Sequence, residues 1–167
     1  MVIGHVIDYR GTGGNSYVIN DRTKVSLQVS PFYYIQVESV DGIWGSDISY
    51  ESHPIPNAIG EKSGDVFRRG TTVTVSGKIY GRGLSELDSG AWFLRQMLAE
   101  KALRKFVFIP WAYGIQLYVN CRPYQDLVIV ETLESNIYRS SFTFGLRADD
   151  PRSYKLSDNS LFPTWQE

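Results

Sequence analysis

From Thr71 to Tyr80 the chain reads Thr-Thr-Val-Thr-Val-Ser-Gly-Lys-Ile-Tyr, and no other stretch restricts the fold as tightly. Successive side chains of an extended strand point to opposite faces. Val73, Val75, Gly77 and Ile79 therefore share one face, and Thr72, Thr74, Ser76 and Lys78 the other. A strand with one apolar and one polar face belongs to an antiparallel sheet covered on one side. Gly77 on the apolar face predicts a bulge or the close approach of another element. The same alternation returns over residues 138–148, with Phe142, Phe144, Leu146 and Ala148 on one face and Arg139, Ser141, Thr143 and Arg147 on the other.

Weaker strand signals fill much of the rest. Residues 2–9 and 16–19 flank the turn Gly11-Thr12-Gly13-Gly14 and read as a short hairpin or two short strands. Lys24–Gln28 alternates, and Phe32–Val40 places Tyr33, Ile35 and Val37 on one face, with Pro31 between the two. Later come Phe106–Ile109, Ile115–Cys121 and Leu127–Leu133. Arg122-Pro123-Tyr124-Gln125 and Glu134-Ser135-Asn136 read as short connections between antiparallel neighbours. Asp150-Pro151 ends the last strand, and residues 152–167 show no period, which predicts a tail running over the surface or onto a partner.

One helix is expected, over about residues 85–104. Ser85-Glu86-Leu87-Asp88 has the form of a capping box. Glu86 and Asp88 suit its first turn, and Lys101, Arg104 and Lys105 its last. Leu87, Ala91, Leu94, Leu98 and Ala102 form one apolar stripe, which Trp92, Met97 and Leu103 would widen. A single helix among strands lies across a sheet or plugs the end of a barrel. The expected fold is all-β with one helix: a mostly antiparallel split β-barrel or sandwich. Its expected core holds Val73, Val75, Ile79, Leu87, Leu94, Leu98, Phe142, Phe144 and Leu146.

Residues 41–70 break the pattern. They carry Gly42, Gly45, Pro54, Pro56, Gly60, Gly64 and Gly70 and no sustained apolar period. His53-Pro54-Ile55-Pro56 is extended, since a residue before proline is pushed out of the α region. Long irregular loops are uncommon in compact domains. The segment reads as an arm or long hairpin that orders against a neighbour, or else as a surface loop.

Catalytic and ligand chemistry finds little to work with. One cysteine, Cys121, allows no disulfide within the chain; with only two histidines, His5 and His53, a zinc site is not expected, and neither histidine sits in a recognisable nucleophile–base setting. Asp149-Asp150 lacks the spacing of a calcium loop. Gly11-Thr12-Gly13-Gly14 is not followed by Gly-Lys-Ser/Thr, Gly60-Glu61-Lys62-Ser63 lacks the preceding glycine, and Gly81-Arg82-Gly83 lacks the third glycine of a dinucleotide loop. No cofactor or metal is expected, and no enzyme. Lys and Arg are scattered and the net charge is −1, so nothing in the total points to nucleic acid or anionic membranes, although it leaves room for a local basic patch. Met1–Tyr9 lacks the form of a signal peptide, and no apolar run approaches the roughly 20 residues that span a bilayer. Synthesis in a reducing cytoplasm is expected. Aromatics make up 14% of the chain, including 11 Tyr, a surplus that suits both β-sheets and protein interfaces.

Gly64-Asp65, Arg69-Gly70, the strand Thr74-Val75-Ser76-Gly77-Lys78-Ile79-Tyr80, a Leu-rich helix and the ending Phe142-Thr143-Phe144-Gly145-Leu146-Arg147-Ala148-Asp149-Asp150-Pro151 follow one another in an order that resembles the siphophage distal tail proteins. The resemblance covers residues 25–151. It implies a structural virion protein: a hexameric ring at the distal end of a long non-contractile tail. Such a ring joins the tail tube protein to the hub or tip protein and to receptor-binding proteins, and DNA only passes through its lumen. It implies a ring domain over residues 1–151, with the arm 41–70, and a tail over 152–167. Many members carry a carbohydrate-binding-like domain after the Asp-Pro; residues 152–167 are too few for one, so that domain is expected to be missing. Within the ring, Tyr50, His53, Pro54, Ile55, Pro56, Phe67, Arg68 and Arg69 of the arm are the expected contacts between subunits. Another tail ring component, such as a tube or terminator protein, or a carbohydrate-binding β-sandwich would suit the same residues.

Overall fold

The computed structural model describes residues 7–10, 16–19, 33–43, 48–54, 61–68, 70–99, 101–108, 114–134 and 137–162. In chain order the elements are β1 (Ile7–Arg10), β2 (Ser16–Ile19), β3 (Tyr33–Asp41), β4 (Ile48–Pro54), β5 (Glu61–Arg68), β6 (Thr71–Gly81), α1 (Leu84–Ala99), β7 (Arg104–Phe108), β8 (Leu117–Glu134), β9 (Ile137–Ala148), β10 (Ser153–Lys155) and β11 (Leu161–Phe162). The expected strand Lys24–Gln28 lies outside the described residues.

The alternating segment is the middle of the fold. β6 pairs antiparallel with β9 from Thr71↔Ala148 to Gly81↔Tyr138 without a register break, and with β3 on its other side. Val73, Val75 and Ile79 of β6 and Phe142, Phe144, Leu146 and Ala148 of β9 are buried. Gly77 meets both of its sequence expectations. A Cβ there would lie 2.0 Å from the Gln36 carbonyl oxygen, and the facing β3 has a bulge between Val37 and Ser39. The bulge inserts Glu38, so Val37 and Val40 both turn inward, and the Glu38 carboxylate accepts from Lys78 Nζ at 2.6 Å on the solvent side.

The main sheet runs β2-β1-β7-β8-β9-β6-β3, and every ladder among the described residues is antiparallel. β2 and β3 stand at its ends and share no ladder, so the sheet is open rather than a closed barrel. β8 holds its two halves together. Residues Leu117–Cys121 pair with β7, and Arg122–Glu134 pair with β9. Arg122-Pro123-Tyr124-Gln125, expected as a connection between two strands, is thus the middle of one 18-residue strand. The ladder gives way at this point, with register shifts between Pro123 and Gln125 and between Gln125 and Val128. A bulge accommodates a proline that has no N–H to contribute.

Helix α1 lies on the inner face of the sheet. Gly83 rather than Ser85 begins it: the Gly83 carbonyl accepts from Glu86 N and Leu87 N, both at 3.2 Å, and the Glu86 carboxylate accepts from Arg82 N. The buried stripe is Leu87, Gly90, Leu94 and Met97, while Leu98 is partly buried. Met97 widens the expected stripe, but Trp92 and Leu103 are exposed. At Gly90 a Cβ would sit 2.5 Å from Ile79 Cγ2, so the helix comes down close on β6. The helix ends at Ala99, short of 104, and no basic residue lies in its last turn. Arg104 and Lys105, expected there, belong to β7, where Arg104 is buried.

The segment after Asp150-Pro151 forms β10 and β11 rather than a featureless tail. β10 continues the run of β9 along the same side of β8, through Tyr154↔Tyr118 and Lys155↔Leu117. A turn with Asn159 at φ 58° brings β11 back onto β10. Asn159 Oδ1 accepts from Tyr118 Oη at 2.9 Å and Lys105 Nζ at 3.3 Å, and Tyr118 and Tyr154 stack with centroids 5.5 Å apart.

Candidate functional site

The surfaces that lack a partner follow from this topology. β4 and β5 pair from Ile48↔Arg68 to Pro54↔Glu61, with a shift between Tyr50 and Ser52. They form a two-stranded sheet of their own, with no ladder to any other strand among the described residues. Within the arm expected over residues 41–70, β4 and β5 thus form a hairpin with no ladder to the main sheet among the described residues, whereas Asp41 still belongs to β3 and Ile43 is buried in the core. Tyr50, His53 and Pro54 occupy β4, and Phe67 and Arg68 occupy β5, with Phe67 opposite Ser49 and His53 opposite Lys62. Ile55, Pro56 and Arg69 lie outside the described residues.

A second surface escaped the sequence reading. β7 covers one edge of β8 only as far as Cys121; beyond it, from Arg122 to Glu134, no strand among the described residues pairs on that side. Here Val128 and Val130 are each 58% exposed, and Tyr124 is 64% exposed. Leu127 and Ile129, on the alternate positions, pack against the core. The run Leu127-Val128-Ile129-Val130 is apolar on both faces, the pattern of a strand covered on both sides. That was the available signal, obscured by reading residues 122–125 as a connection.

Next to this strand Trp92 projects from α1, 61% exposed. It stands between two shallow cavities. One, of about 600 Å³, is lined by Asp88, Ala91, Trp92, Arg95, Ile129 and Glu131. The other, of about 500 Å³, also includes Asp88 and Trp92 and extends to Tyr33 and Phe93. The first is a groove between the helix and β8, apolar at its floor and charged at its rim.

Cys121, Asp149 and Asp150 are committed to structure. Burial pushes the Cys121 thiol up to about 12, against a smaller lowering by the Phe106 backbone, so it stays a protonated core residue. Asp149 pairs with Arg122. Asp150 accepts from Arg152 Nε at 2.8 Å, Arg152 Nη2 at 2.9 Å and Tyr154 Oη at 2.6 Å. Burial raises the Asp150 carboxyl, and the hydrogen bonds from Arg152 and Tyr154 outweigh it, so the group lies below its ordinary range. Both carboxylates of the Asp149-Asp150 pair are thus engaged by guanidinium groups, and the described residues hold no group of three or more His, Cys, Asp or Glu placed to bind a metal.

Among solved structures, the chain is similar to the Dit protein (gp 19.1) of SPP1, described as a paradigm of the hub adsorption apparatus in phages that infect Gram-positive bacteria. The fold resembles that of a phage adsorption hub. The match has a TM-score of 0.58 at 14% identity and covers 90% of this chain. The chain spans about half the length of that protein, 51%. No sequence-family model matches the chain, and no curated protein does. At this identity the likeness rests on the arrangement of strands and helix, not on shared side chains.

Proposed function

We propose that this chain is a structural, non-enzymatic protein of a long non-contractile phage tail. It forms a ring, hexameric as the family resemblance implies, at the distal end of the tail, and connects the tail tube protein to the hub and to receptor-binding proteins. The observation that carries the reading is the fold shared with SPP1 Dit over 90% of the chain. Two features of the chain support it. The β4–β5 hairpin has no ladder partner among the described residues, and the bare edge of β8 beside Trp92 is a second, different surface. A ring needs two unlike complementary patches on each subunit, because its contacts are head to tail.

Negative-stain imaging together with the solution mass of the purified protein tests the proposal. Rings of one or two layers are expected. Open stacks that lengthen with concentration would make it a tube-type component instead. A protein that stays monomeric and binds a glycan array would make it a carbohydrate-binding module.

A further inference from the structure

We propose that the bare edge of β8 and the groove beside Trp92 receive the β4–β5 hairpin of a second copy of this chain. The inference rests on the ring reading above and names the two surfaces that meet.

The edge is built to be covered. Strand edges left in solvent are usually blunted by lysine, proline or a bulge. The first part of the β8 edge has such protection, with Pro123 and two register shifts before Val128. From Val128 to Glu134 the register against β9 is unbroken, and the segment Val-Ile-Val-Glu-Thr-Leu-Glu contains neither lysine nor proline. Val128, Ile129, Val130 and Leu133 are apolar, Glu131 and Glu134 are its two charges, and its hydrogen-bonding edge is open among the described residues. Exposed valines offer nothing to sugar hydroxyls, and an open backbone edge is matched by another backbone. The partner is therefore a β-strand.

The hairpin supplies one. An isolated two-stranded hairpin is marginal in water, and β4 and β5 pair with no other strand among the described residues. β5 offers eight residues, Glu61–Arg68, against the seven of Val128–Glu134. Laid along the β8 edge, the hairpin extends the main sheet and brings its near face over the groove, where Trp92 gives the flat contact area typical of an interface centre. Hairpin and edge are different surfaces of one chain, so each copy both donates and accepts, and the contact is head to tail.

The test compares the full chain with a variant lacking residues 50–66, with W92E/V130K, and with an equimolar mixture of the two variants. Both substituted side chains are exposed, so a cooperative melt and an unchanged far-UV spectrum are expected of W92E/V130K. By light scattering, the wild type is expected at a multiple of 19.0 kDa and each variant alone at one chain's mass. The mixture is expected to form a two-chain species, the hairpin of the W92E/V130K chain occupying the intact edge of the deleted one. If W92E/V130K does not fold, W92A replaces it and is expected to raise the concentration for half-assembly by about tenfold or more. A folded W92E/V130K that assembles like the wild type, a W92A replacement whose half-assembly concentration does not move, or a mixture that stays monomeric, overturns the docking site and leaves the ring reading standing. Normal assembly of the deletion variant removes the hairpin from the contact altogether. A wild type that is monomeric at every concentration overturns the ring reading and this inference with it.

Discussion

Gly77 stands where a methyl group has no room. A Cβ would lie 2.0 Å from the Gln36 carbonyl oxygen and 2.9 Å from Phe142 Cζ, so backbone or core has to move. Gly77→Ala is expected to destabilise the protein by about 1–3 kcal/mol or more, read as a lower urea midpoint with an unchanged slope. Asp150 makes a different kind of prediction. Its folded-state carboxyl lies below the ordinary range, with the raising effect of burial outweighed by hydrogen bonds from Arg152 and Tyr154. A depressed carboxylate contributes stability that is fully present above its unfolded value and is lost as pH falls through its folded one. Wild type and Asp150→Asn should therefore differ in urea stability at neutral pH and converge in acid, below about pH 4. A gap that stays constant to pH 2 would show that the Asp150 network is not what holds the turn after β9.

At the scale of elements, α1 separates the helix face that the core requires from the face left free. Leu94 is fully buried, so Leu94→Ala is expected to cost about 2–5 kcal/mol in chemical denaturation. Trp92→Ala, two positions away, should leave monomer stability within about 0.5 kcal/mol. The strands at the centre were legible because their period is strong: Val73, Val75 and Ile79, and Phe142, Phe144 and Leu146, state their own faces. The helix end was not legible, because Ala102 and Leu103 prolong the apolar stripe and Arg104 and Lys105 suit a helix terminus. Pairing with β8 through Arg104↔Cys121 and Lys105↔Asn120 claimed them for a strand instead. β8 was read as two strands because Pro123 is a breaker in a regular ladder, and only the bulge makes it tolerable. β10 and β11, at three and two residues, are too short to show any period. Of the candidate site, the hairpin was visible as a change of composition. The bare edge was not, since which edge of a strand goes unpaired depends on neighbours distant in sequence.

For the whole molecule, the division between a continuous main sheet and a separate hairpin sets how backbone amides exchange. β6, paired with β9 along its whole length and with β3 from Thr74 to Gly81, should exchange only on global unfolding. β4 and β5 should exchange fast in the monomer and become protected on assembly. Hydrogen exchange followed by mass spectrometry across a dilution series checks this, and equal protection of the hairpin in both states would contradict it.

β8 also has a mechanical consequence. One strand carries β7, β9 and β10, and its 18 residues amount to about 60 Å of extended chain. A pull applied near Val130 along the strand meets the β9 ladder in shear, with many hydrogen bonds loaded together rather than opened one at a time. What passes that ladder arrives at Tyr118, where Tyr154, Lys105 and Asn159 hold the strand's other end. The strand is a tie-rod anchored at both ends, so a subunit pulled along β8 resists as one body instead of coming apart between the two halves of its sheet.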